Sequence, residues 1–153
     1  TFFIIYVSIF CFFFFFFSNF TATKLILFII TGSCFASDIG GYIIGNILKG
    51  PKLTKVSPNK TISGCLGSFV FSCITFSVLI FIFLGNFNVL IILVGLIISL
   101  ACQSGDLFFS FLKRKAKIKD TGFLIPGHGG VLDRIDGVLL GLPLGLIATL
   151  IIF

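Results

Sequence analysis

Apolar residues run along this chain in blocks too long and too rarely interrupted for the faces of water-soluble helices. Five stretches stand out, at about 1–17, 24–45, 62–84, 88–112 and 132–153. Each is close to the ~20 apolar residues that carry an α-helix across the hydrocarbon of a bilayer. No repeat relates them. The pattern predicts an all-α, polytopic integral membrane bundle with about five transmembrane helices, a single membrane domain over 1–153. Gly32, Gly40 and Gly41 loosen the second stretch and Gly105 the fourth, so helix ends are least defined there.

The polar connections alternate in charge. "SNFTATK" is nearly neutral, and "GNILKGPKLTKVSPNKT" carries Lys49, Lys52, Lys55 and Lys60. "GNFN" is uncharged, and "KRKAKIKDTGFLIPGHGG" brings five basic residues. Short loops rich in Lys and Arg stay in the cytoplasm. Alternation of basic and bare loops suits five crossings with the N-terminus cytoplasmic and the C-terminus outside. Lys115 and Lys117 are accounted for by this bias alone.

Composition agrees with the pattern. The 153 residues are 58% hydrophobic and 10% charged, with a mean hydropathy of +1.24, against about 25% charged in soluble domains. A separate soluble domain is excluded, and nucleic acid is not an expected partner. The chain opens on Thr1 and contains no Met, so it is expected to lack its natural beginning. "TFFIIYVSIFCFFFFFF" has neither a basic n-region nor a small-residue cleavage site, and reads as a membrane-spanning segment rather than a signal peptide. Cys11, Cys34, Cys65, Cys73 and Cys102 show no CxxC or Cys/His pairing. They read as small packing residues, not as disulfides or a zinc site.

The candidate chemistry lies in polar residues inside apolar surroundings. All five acids are Asp: Asp38, Asp106, Asp120, Asp133 and Asp136. An Asp at a helix centre costs ~2.5–3.5 kcal/mol to insert. Taken singly, each would be an interfacial, solvated side chain. Asp38, Asp106, Asp133 and Asp136, however, all fall toward the same ends of their helices and are expected to converge on one cytoplasm-facing cavity. Carboxylates without Cys or His ligands suit a hard cation such as Mg²⁺. Lys60 and the pair Lys113–Arg114 stand beside these motifs, and cations around a metal suit phosphates. "PGHGG" lets backbone N–H groups approach an anion and leads into a helix N-terminus. His128, the sole histidine, is either a proton-transfer group or a shaping element of that turn. "GNILKG" is not a phosphate-binding P-loop, because Pro51 follows its second glycine.

At residues 110–136, "SFLKRKAKIKDTGFLIPGHGGVLDRID", the chain resembles the C-terminal signature of the phosphatidate cytidylyltransferases, the CDP-diacylglycerol synthases. Ser110, Lys113–Arg114, Lys119–Asp120 and the run from His128 to Asp136 all match. "SDIGGYIIG" and "KVSPNKTISG" resemble two upstream blocks of that family, with Gly41 where Ala is common and Ser63 in place of an acid. Phe109 stands where the family usually has Glu. The similarity covers about 35–145, and usual members carry more helices before it.

The resemblance implies transfer of a cytidylyl group from CTP to phosphatidic acid with Mg²⁺ as cofactor, at the cytoplasmic face of a bacterial inner membrane. It implies Asp106 and Asp133 as metal ligands, with Arg134 and Asp136 in the same signature. Lys60, Lys113 and Arg114 are implied as phosphate-holding residues. Gly129 and Gly130, with Lys60, are expected near the CTP phosphates, and His128 belongs to the catalytic set. CTP, phosphatidic acid and the bilayer are the expected partners, and a homodimer is left open. A CTP-dependent polyprenol kinase, an inactive copy and a transporter-like protein remain alternatives.

Overall fold

In hydrocarbon no water can satisfy a backbone N–H or C=O, so an apolar segment that enters a bilayer must bond to itself as a helix. The computed structural model has five helices: α1 (Phe2–Ser18), α2 (Thr21–Leu48), α3 (Ile62–Leu84), α4 (Leu90–Lys115) and α5 (Leu132–Ile152). It describes residues 2–54, 57, 60–85, 87–118, 121, 130 and 132–152, without the side chains of 2–5, 22, 133 and 134. Among the described residues there is no strand, only an isolated antiparallel bridge between Lys52 and Thr61.

Four helices are long and apolar enough to cross a membrane: Thr23–Leu48, Ile62–Leu84, Leu90–Lys115 and Ile135–Ile152. The protein is a multi-pass integral membrane protein by these lengths and this composition. Helix α1, at 17 residues, rises about 26 Å, short of the ~30 Å hydrocarbon core. The expected architecture stands. The second stretch, expected at 24–45, runs unbroken over Thr21–Leu48, its Gly40 and Gly41 packed against α3 instead of breaking the helix.

Helix α2 is the hub and touches all four others, while α3 and α5 flank α2 and α4 without meeting among the described residues. The core runs through Ile29, Ile30 and Cys34 of α2, Phe76 and Ile80 of α3, Val94, Ile98 and Cys102 of α4, and Leu142 and Leu146 of α5. Small residues bring the backbones close, as is usual where lipid and side chains are equally apolar. A Cβ added at Gly40 would lie 2.6 Å from Phe71 Cβ, and one at Gly64 would lie 2.7 Å from the Gly41 carbonyl oxygen. Gly105 abuts the Asp136 carbonyl in the same way, at 2.9 Å, locking α4 to α5.

Pro143 lies inside α5 and cannot donate to the carbonyl of Leu139, four residues earlier. That carbonyl instead accepts the Tyr6 hydroxyl of α1 at 3.0 Å. The defect in one helix thus becomes the attachment point of another.

Candidate active site

The connection from α2 to α3 is folded back on itself. Leu53 N–H donates to the Lys60 carbonyl at 2.8 Å and Ile62 N–H to the Pro51 carbonyl at 3.0 Å. Thr61 caps α3, its hydroxyl oxygen accepting from Gly64 N–H at 3.1 Å; such a cap satisfies one of the orphan donors of the first turn. Lys60 is thereby fixed at the head of α3, facing the interior end of the bundle.

There it meets a cavity of about 370 Å³ lined by Asp38 and Tyr42 of α2, Lys60 and Ser57 of the connection, Gln103 and Asp106 of α4, and Asp136 of α5. Lys60 Nζ forms an ion pair with Asp106 Oδ2, both side chains about a quarter exposed. Lys113 Nζ lies 3.7 Å from Asp136 Oδ2, with side chains 16% and 11% exposed. Asp136 Oδ1 also accepts from Gly137 N–H at 2.9 Å, and Ser110 Oγ approaches Asp106 Oδ1 at 3.5 Å. Buried carboxylates require such partners, since an unpaired charge in a low-dielectric interior is costly.

Helix α4 carries the wall of the site as a stripe. Ser99, Gln103, Asp106, Ser110 and Lys113 recur at intervals of four and three, and so share one face. Gln103 Nε2 donates to Ser99 Oγ at 3.1 Å and to the Cys65 carbonyl at 3.4 Å. Ser99 in turn shares a 2.9 Å hydrogen bond with Ser37 of α2. This line ties α2, α3 and α4 together beneath the carboxylates.

Of the residues singled out in the sequence, Lys60, Asp106, Asp136 and Lys113 are brought together. Arg114 is exposed, turned about 100° from Lys113 on the helix, and does not line the cavity. Gly130 is buried. His128 and Gly129 lie outside the described residues, as do the side chains of Asp133 and Arg134. Gln103 and Tyr42 line the cavity without having been assigned. For Gln103 the signal was available: an amide in an apolar helix, three residues before Asp106.

The two departures from the family pattern are structurally occupied. Phe109 is 3% exposed and its ring packs at 6.1 Å from that of Tyr6. The Ser63 hydroxyl accepts from Gly50 N–H at 3.3 Å and bonds Thr61 Oγ1 at 3.1 Å, holding the α2–α3 connection shut.

A divalent cation is compatible with this chemistry. Carboxylate, amide and hydroxyl oxygens are the donors Mg²⁺ takes, and Asp38, Asp106 and Asp136 reach one cavity from three helices. Among the described residues, no three acid, His or Cys side chains converge tightly enough to hold an ion by themselves. Mg²⁺ commonly keeps waters and shares substrate phosphates instead of sitting in an all-protein cage.

Fold and site define a polytopic helical membrane protein with a cavity of acids and one lysine at one end of its bundle, opposite its bare connections. The chain matches the cytidylyltransferase family over residues 1–152, and it belongs to that family. It is 44% identical over 110 residues to a phosphatidate cytidylyltransferase of Staphylococcus haemolyticus, covering 71% of this chain and 42% of that protein. Phosphatidate cytidylyltransferases of two Helicobacter pylori strains are similar: 42% identical over 118 residues, 75% of this chain and 43% of the relative, and 40% over 109 residues, 69% and 40%. The chain thus spans about four-tenths of the length of the curated relatives it matches.

Proposed function

We propose that this chain carries the reaction centre of a phosphatidate cytidylyltransferase, transferring a cytidylyl group from CTP to phosphatidic acid. A phosphate oxygen of phosphatidic acid forms a bond to the α-phosphorus of CTP. The bond from that phosphorus to the bridging oxygen toward the β-phosphate breaks. CDP-diacylglycerol forms and pyrophosphate leaves with the electron pair. The attacking oxygen is already anionic at neutral pH, so no strong base is required. The demand is to hold mutually repelling phosphates in line.

Lys60 and Lys113 meet that demand by exchanging carboxylate partners for phosphate oxygens. Arg134 and the backbone of Gly129 and Gly130 contribute further donors, and His128 acts in the same turn. Asp106 and Asp133, with Asp136 beside them, would hold Mg²⁺. When bound, the ion offsets phosphate charge and steadies the leaving group. The cavity faces the cytoplasm of a bacterial inner membrane, where CTP comes from water and the lipid from the bilayer.

One observation carries this reading: Lys60, Asp106 and Asp136 share a cavity at the end of the bundle that bears both basic connections. The test uses membranes containing the chain, phosphatidic acid, Mg²⁺ and CTP labelled at either the α- or the γ-phosphate. Cytidylyl transfer puts α-label into extractable lipid and leaves γ-label in water. γ-Label in lipid means a lipid kinase, and no label from either position rejects the chain as a self-sufficient enzyme.

A further inference from the structure

Among the side chains of this sequence that fall at the end of the bundle away from the cavity, one is charged. α1, the α3–α4 connection "GNFN" and the last turn of α5 carry no charged side chain, which leaves Lys24. It lies in the first turn of α2, where the helix dipole disfavours a cation. The five Asp all belong by sequence to the other end. The nearest along α2, Asp38, is 14 residues and so about 21 Å away. No acid of this chain serves Lys24 there among the described residues.

Beside Lys24 runs a groove of about 600 Å³, lined by Thr21, Leu25, Ile26 and Phe28 of α2 and by Leu84 at the end of α3. Phe28 and Phe83 meet edge to face at 6.4 Å and join the two helices beside it. The volume falls within the range of small-molecule clefts, enough to seat part of an acyl chain. An open apolar trough bordered by the Thr21 hydroxyl and the Lys24 ammonium has the chemistry of a lipid site, not of a water channel.

We infer that this groove binds one anionic membrane phospholipid, with an acyl chain against Phe28 and Leu84 and the headgroup phosphate on Lys24. The charge complementarity is what selects an anionic lipid over a zwitterionic one. The site is separate from the substrate cavity and does not depend on the proposed reaction.

The chain contains no Trp, so Phe28→Trp, at a position 62% exposed, creates a single reporter in the groove. The protein is reconstituted in phosphatidylcholine with bromine on the acyl chains of either phosphatidylcholine or phosphatidylglycerol. Quenching by phosphatidylglycerol is expected to show about fivefold tighter binding, the scale of one Lys against an anionic lipid. Adding Lys24→Gln brings the ratio to one. A control reporter at Ile151→Trp, on α5 at the same end and 78% exposed, shows no preference. Leu84→Trp reports from the opposite wall and decides the matter should Phe28→Trp disturb the protein. A ratio near one with Lys24 present, a preference surviving Lys24→Gln, or an equal preference at residue 151 would overturn the site.

Discussion

The Tyr6 hydroxyl of α1 serves the Leu139 carbonyl of α5 at 3.0 Å, the acceptor that Pro143 strands inside its own helix. Tyr6→Phe leaves that carbonyl unsatisfied in an apolar setting. The expected loss is about 0.5–1.5 kcal/mol, the range of interhelical hydrogen bonds in membranes. Pro143→Ala restores the intrahelical donor, so in that background Tyr6→Phe should cost less than half as much. A double-mutant cycle read by reversible unfolding in mixed micelles measures the difference. An unchanged cost would mean that the two residues act independently.

Close packing of α2 on α3 allows a sharper contrast. A Cβ at Gly67 would lie 2.5 Å from Ile44 Cβ and 2.7 Å from the Gly40 carbonyl oxygen, whereas one at Gly32 meets only Leu79 Cδ1 at 3.5 Å. Gly67→Ala should therefore destabilise by about 1–3 kcal/mol through overpacking. Gly32→Ala should be neutral or stabilise by up to ~1 kcal/mol through helix propensity. Thermal unfolding in one detergent compares the two directly, and equal effects would refute the packing account.

These contacts also mark what could be read in advance. Long apolar stretches and alternating loop charge sufficed for the helical membrane fold, since a bilayer admits few other solutions. Convergence of Asp38, Asp106 and Asp136 was legible because each falls toward the same end of its helix. The pairing of Lys60 with Asp106 was not, as it depends on the folded-back α2–α3 connection and the Thr61 cap. Lys113 and Arg114 stand together in the signature, but adjacent helical residues point about 100° apart, and it is Lys113 that reaches Asp136. The Tyr6 contact needed the relative placement of α1 and α5, which no local pattern encodes.

Phe109 stands where the family usually has Glu, and restoring the acid should harm this chain. The side chain is 3% exposed and packs on Tyr6, so Phe109→Glu buries a carboxylate and removes the ring contact between α4 and α1. Loss of about 3 kcal/mol or more is expected, seen as a collapse in the folded fraction after extraction. Phe109→Leu, which keeps the site apolar, should cost about 1–2 kcal/mol. A Glu variant as stable as the parent would mean that the position opens to water.

The proposed reaction is tested most directly at Asp106, which lines the cavity and pairs with Lys60. Asp106→Asn keeps the shape and removes the charge. If this carboxylate helps hold Mg²⁺, label transfer from α-labelled CTP to phosphatidic acid should fall at least about 100-fold, the scale of several kcal/mol of charge stabilisation. A chelator should impose the same loss on the parent, reversibly on adding Mg²⁺. Lys117 supplies the contrast: it is exposed, lies past the end of α4 and does not line the cavity. Lys117→Ala should stay within about twofold of the parent, as expected for a surface charge. Near-normal transfer by Asp106→Asn, with the chelator still inhibiting, would move the metal to the other carboxylates. Equal losses in both variants would mean that net basic charge, not a built cavity, supports the activity.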